Sequence, residues 1–230
     1  MSPGQTDAEA GGGAPTEERV DRAITAFRRG GPILVHDAAD REGETDLVYP
    51  AGAVDPTAVA RMRTDAGGLI CLAVTDEVSE ELGLPFLQEA IDHDLTADHE
   101  LSYDERSSFS LTLNHRETFT GITDVDRSLT ITELGSMAKT PDYDSFVEQF
   151  RSPGHVHLLR AAPELLADRQ GHTELGLAVA AAAEREPAVV VCEMLDGETG
   201  GALTPVDARR YAEEQGLVYV EGAALVDRLA

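Results

Sequence analysis

Three stretches of this sequence are apolar without a break: Ile33-Leu34-Val35, residues 69–74 and Val189-Val190-Val191-Cys192. Runs this short read as buried strands, because a strand that is apolar at every position leaves no face for water. Such strands need helices packed over them, and the intervening segments supply helical signals. The first helix starts near Thr16. Glu17 and Glu18 suit its first turn, Val20, Ile24 and Phe27 form its apolar stripe, and Gly30-Gly31 stops it. Asp55-Pro56 opens a second helix as cap and first residue, through Val59 and Met62 to Gly67-Gly68.

Further along, residues 86–106 are acidic and aperiodic, and Phe109-Ser110-Leu111-Thr112-Leu113 alternates as a strand. A polar loop through Thr120-Gly121 leads to a helix over 124–134. A short strand follows at 155–159, an alanine-rich helix at 173–185, a helix at 204–215, a strand at 217–220 and a closing helix at 223–229. Strands alternating with helices, with a hairpin-like middle, predict an α/β (α+β) fold: a single domain with a mixed sheet flanked by helices. Residues 1–16 read as a disordered acidic, glycine-rich leader, and 17–230 as the catalytic domain.

Charge narrows the function. With 43 acidic residues against 18 basic, the net charge is −25, which argues against nonspecific nucleic-acid binding and against docking on an anionic membrane. Lys139 is the single lysine, and the acid is spread through the whole chain. That is the pattern of a salt-adapted, halophilic surface. Cys71 and Cys192 lie far apart and form no CxxC pair. Both read as core residues of a protein in a reducing cytoplasm. No apolar run approaches the ~20 residues that cross a bilayer.

Four elements carry chemistry. Arg41-Glu42-Gly43-Glu44-Thr45-Asp46 follows a strand, where ligands usually sit in α/β sheets. Its alternating carboxylates suit Mg²⁺ or Mn²⁺, although a solvated acidic loop would show the same run. Arg169-Gln170-Gly171-His172-Thr173 ends in a helix start. It offers a guanidinium grip, close backbone approach and free N–H groups to a phosphate, with Thr173 as cap. His172 adds an imidazole to the first set. Ser152-Pro153-Gly154-His155 is a turn that delivers a histidine to a strand start, and Glu193 is a carboxylate at the exit of an apolar strand. A structural histidine and a surface glutamate are the plainer readings of these two. Asp92-His93-Asp94 and Asp98-His99-Glu100 could also gather a metal, but read better as an exposed insertion. Phosphate-loop, GxGxxG, HExxH and GxSxG motifs are absent, so nucleotide-driven and redox chemistry has no support.

In this order, the four elements resemble the 3,4-dihydroxy-2-butanone-4-phosphate synthases of riboflavin biosynthesis. Gly68-Leu69-Ile70-Cys71 and Thr120-Gly121-Ile122-Thr123-Asp124-Val125-Asp126-Arg127 add to the likeness, which spans residues 18 to about 195. The resemblance implies an archaeal, monofunctional lyase that converts D-ribulose 5-phosphate to 3,4-dihydroxy-2-butanone 4-phosphate and formate. It implies Glu42 and His172 as ligands of two Mg²⁺ or Mn²⁺ ions. It implies Arg41, Glu42, Asp46, Thr120, Arg169, Gln170, Gly171, His172, Thr173 and Glu193 as substrate contacts, and His155 with Glu193 as the catalytic acid/base pair. It also implies a cytoplasmic homodimer whose residues 120–127 reach the neighbouring subunit's site. Another metal-dependent sugar-phosphate isomerase or aldolase is the alternative.

Overall fold

The computed structural model describes residues 16–37, 43–97 and 106–230. Residues 1–15, 38–42 and 98–105 lie outside that set, and with them Arg41, Glu42 and Asp98, His99 and Glu100.

Among the described residues the strands are β1 (Ile33–His36), β2 (Thr45–Pro50), β3 (Cys71–Val74), β4 (Phe109–His115), β5 (Phe150–Arg160), β6 (Ala188–Glu193) and β7 (Val218–Glu221). They form one sheet in the order β4-β5-β3-β6-β2-β1-β7. The β1–β7 and β3–β5 pairs are parallel and the other four antiparallel, so the sheet is mixed, as the sequence predicts. The helices are α1 (Thr16–Arg28), α2 (Pro56–Thr64), α3 (Asp76–Glu81), α4 (Leu87–Ala90), α5 (Asp94–Ala97), α6 (Asp124–Met137), α7 (Tyr143–Gln149), α8 (His172–Ala182), α9 (Pro205–Gln215) and α10 (Gly222–Leu229).

The apolar runs behave as their composition demands. Side chains alternate across a strand. Leu34, Leu72, Val190 and Cys192 therefore join one core with Met62 of α2, Ile131 and Leu134 of α6 and Ala208 of α9. Their neighbours Ile33, Val35, Cys71, Ala73, Val189 and Val191 join the opposite core with Phe27 of α1, Leu175 and Val179 of α8 and Leu225 of α10. The result is three layers, helix–sheet–helix. In α8 the nine residues from His172 to Ala180 are all buried, as in a helix covered on every side. Gly176 lets it lie against the sheet: a Cβ there would meet Val189 at 3.0 Å and Val48 at 3.2 Å. No described helix is long and apolar enough to cross a membrane.

Several boundaries differ from the sequence reading. The charged loop gives way to strand at Thr45, and β2 is buried at every position although it carries Thr45, Asp46 and Pro50. The strand expected over 155–159 starts earlier, at Phe150, and carries an irregularity. Leu113 pairs with Val156 but Asn114 pairs with Arg151, so residues 152–155 bulge from the ladder. Gly154 makes the bulge possible, since a Cβ would fall 1.9 Å from the Leu113 carbonyl carbon. Helices α3 and α7, capped by Thr75 and Asp142, and the short α4 and α5 were not expected.

Candidate active site

The β2–β6 register sets the first pair of functional groups. Asp46 lies directly opposite Glu193, so both side chains leave the same face of the sheet. It is the face that α8 covers, because Val48 and Val191, two residues away on each strand, belong to the α8 core. The first turn of α8 then brings His172 over them, with Nδ1 3.7 Å from Oδ1 of Asp46 and both side chains nearly inaccessible to water. Glu44 completes the group. One ligand atom each from Glu44, Asp46 and His172 lies within 4.8 Å of the others. Gly43, at φ +67°, turns the chain into this strand. The backbone around Glu44 is pinned to β1: the Glu44 carbonyl accepts from the Asp37 N–H and lies 2.7 Å from His36 Nδ1, while its own N–H donates to Asp37.

Two carboxylates and an imidazole make a mixed oxygen and nitrogen donor set of the kind that accepts Mg²⁺ or Mn²⁺. The donor set therefore fits a divalent cation. The sequence reading placed the ligands at Glu42 and His172. Of these the structure describes His172, and it adds Glu44 and Asp46 beside it.

The segment before α8 is held just as firmly. Arg169 donates from Nη1 to Glu174 at 2.6 Å, and the fully buried Glu174 accepts the Ala162 N–H through its other oxygen. Gly171 is the helix cap, and a Cβ on it would fall 2.3 Å from Arg169 Nη1. Only glycine leaves room for the guanidinium there. The helix begins at His172, so Thr173 is a buried first-turn residue and not the cap that its residue type suggested. Gln170 turns back, with Nε2 3.5 Å from the Leu166 carbonyl.

These parts surround a cavity of about 430 Å³, within the usual range for small-molecule sites. Glu44, Asp46, Arg169, His172, Thr173 and Glu193 line it, with Cys71, Val191 and Leu159 among its apolar residues. Arg106, Ser107 and Ser108 line it as well. Sequence reading missed these three, since nothing marks them out at the end of an aperiodic acidic stretch. Burial pushes the Glu193 carboxyl above its ordinary range, partly offset by nearby His172. A carboxyl so placed is suited to exchanging protons with a bound molecule. Burial likewise raises the Cys71 thiol far above its usual range and that of Cys192 to about 12, so neither supplies a thiolate.

Four expected residues stand outside the cavity wall: Gln170 and Gly171, in the turn before α8, and His155 and Thr120. His155 is exposed on the β5 bulge, with its N–H donating to Asn114 Oδ1 at 2.9 Å. Thr120 is exposed in a turn gathered by Asp126, whose carboxylate accepts N–H bonds from Phe119, Thr120 and Gly121. These bonds, that from Gly121 above all, hold the Asp126 carboxyl below its usual range. Phe119, Ile122 and Val125 beside it are 94%, 52% and 64% exposed.

Residues 21–228 match the sequence profile described as 3,4-dihydroxy-2-butanone 4-phosphate synthase. The chain is 49% identical over 222 residues to the enzyme of that name from Archaeoglobus fulgidus, covering 90% of this chain and 92% of the relative. To that from Methanothermobacter thermautotrophicus it is 44% identical over 216 residues, covering 90% and 94%. Among solved structures, a 3,4-dihydroxy-2-butanone 4-phosphate synthase in complex with two magnesium ions superposes with a TM-score of 0.76 at 29% identity, covering 90% of this chain and 94% of that one. The Candida albicans structure gives 0.76 at 27% identity, covering 92% and 97%.

Proposed function

Because this chain belongs to the 3,4-dihydroxy-2-butanone 4-phosphate synthase family, we propose that it converts D-ribulose 5-phosphate to 3,4-dihydroxy-2-butanone 4-phosphate and formate. The observation that carries the reading is the meeting of Glu44, Asp46, His172 and Glu193 in one cavity, beside a helix start suited to a phosphate. The two products together contain every atom of the substrate. The reaction therefore needs no oxidant, reductant or second substrate, only groups that move protons and stabilise charge.

Placement supports the following roles. The substrate phosphate sits at the first turn of α8, against the N–H groups around His172 and Thr173 and the guanidinium that Glu174 anchors. Glu44, Asp46 and His172, with Glu42, would hold Mg²⁺ or Mn²⁺, two ions per site. A divalent ion stabilises negative charge on neighbouring substrate oxygens. Glu193, its carboxyl raised by burial, and the exposed His155, brought to a neighbour's cavity together with Thr120, take and return the protons of enolisation, dehydration, carbon shift and release of formate. The exposed Phe119, Ile122 and Val125 dock a second copy of the chain, which brings Thr120 to its neighbour's cavity. The acidic surface adapts the protein to a salty cytoplasm.

The decisive test is formate release from ribulose 5-phosphate with and without EDTA. Formate should appear, stop on chelation and return with Mg²⁺. Loss of substrate without formate would point instead to an isomerase or aldolase. Solution mass and melting temperature in dilute buffer and in molar KCl check the other two points. A monomer in both conditions would remove the dimer, and equal melting temperatures would remove the salt adaptation.

A further inference from the structure

We propose that Asn114 is a positioning residue for His155: its side-chain amide fixes the ring of His155 and selects the tautomer that carries its proton on Nε2. The inference rests on the reading of His155 as an acid/base group.

The bulge creates the need. Residues 152–155 leave the β4–β5 ladder, so their backbone N–H groups lose strand partners. Side chains of β4 replace them. Thr112 Oγ1 accepts the Gly154 N–H at 3.1 Å, and Asn114 Oδ1 accepts the His155 N–H at 2.9 Å. The second bond also decides which end of the amide is which, because a backbone N–H can point only at the oxygen. With the oxygen settled, Nδ2 stands 3.2 Å from His155 Nδ1. Nδ2 can only donate and Oδ1 already accepts the His155 N–H, so the neutral ring that uses both ends of the amide accepts on Nδ1 and holds its proton on Nε2. When the ring gains a proton, Nδ1–H can turn to Oδ1, 3.3 Å away. One amide thus serves both protonation states with little movement, while Nε2 remains the nitrogen that exchanges.

Asn114 is itself fixed. It is buried, and Gly121 lies so close that a Cβ there would fall 2.1 Å from Nδ2. Gly121 in turn is held by Asp126, and its φ of +91° suits glycine. The Thr120-Gly121 turn is thereby linked to the histidine through a single side chain.

The test is histidine-selective ¹⁵N NMR of the intact protein, with kinetics, for Asn114→Asp and Asn114→Leu. Asn114→Asp keeps an acceptor for the His155 N–H but removes the Nδ2 donor. The neutral ring should then move its proton to Nδ1 and face the carboxylate. Turnover should fall about ten- to a hundredfold with KM nearly unchanged, as expected for a misplaced acid/base group. Asn114→Leu should leave a mixture of tautomers. An unchanged Nε2–H tautomer in both variants, each folded by its melting curve, would overturn the proposal. If the tautomer flips and turnover holds, the positioning role in the reaction is overturned. His155→Ala then locates the fault: full activity in that variant means the reading of His155 failed, whereas loss of activity means only Asn114 was misassigned.

Discussion

The two faces of the sheet use the same strands and end differently. On one face α2, α6 and α9 close over Leu34, Leu72, Val190 and Cys192, and even the Cys192 thiol finds a carbonyl, that of Met62. On the other, α8 covers Val48 and Val189 but begins only at His172. Cys71, Val191 and Leu159 are left as cavity lining, with Asp46 and Glu193 beside them. Next-door residues of one strand therefore have unrelated jobs: Cys192 fills a core and Glu193 faces a cavity. The site lies where the helical layer runs out.

Substitutions on the two faces should separate activity from stability. Glu193→Gln, on the cavity face, should cost about 10²–10⁴-fold in formate production while melting like the parent. Near-parental turnover would end the acid/base role of Glu193. Leu72→Ala, on the closed face, should do the reverse. It should lose about 2–5 kcal/mol in denaturant titration, with kcat of the folded fraction retained. A selective loss of kcat in that variant would mean the two faces are coupled.

A smaller effect tests the surface turn at Thr120. The Asp126 carboxyl is held below its usual range by three backbone N–H groups and Thr123. Its folded value thus lies below its unfolded value. The stability it contributes is present above the unfolded value and lost as pH falls through the folded one. Asp126→Asn should be slightly less stable than the parent at neutral pH, and the difference should shrink on acidification below about pH 4. A constant difference across thermal melts from pH 2 to 7 would rule out the charge as its cause.

Much of the closed face was legible in the sequence, because apolar runs and capping residues state their needs locally. Val189-Val190-Val191-Cys192 could only be buried, and Asp55-Pro56 does open α2, with Asp55 accepting the Ala58 N–H at 2.8 Å. The cavity face was harder. Thr45–Pro50 hides as a strand because Asp46 breaks its apolar pattern, and the same Asp46 is what the site requires of it. Ser152-Pro153-Gly154 reads as a turn yet lies inside a strand, since a bulge needs turn chemistry. The meeting of Glu44, Asp46 and His172 depends on a sheet register and a helix start more than 120 residues along the chain, which no local pattern encodes. The helical caps Thr75 and Asp142 were visible and went unread, being followed by helices of only six and seven residues.

The pairing of Asp46 with Glu193 restricts how a gene for this protein can change length. Adding or removing one codon between Thr45 and Asp46, or just before Glu193, would turn a carboxylate from the cavity into the closed core beside Met62. Two codons at once would restore the facing but slide the partners apart along the ladder. Residues 87–97 and 197–201 lie outside the sheet and are under no such constraint. Length variation among natural variants should therefore collect in those two segments, and the stretches around Asp46 and Glu193 should keep their count.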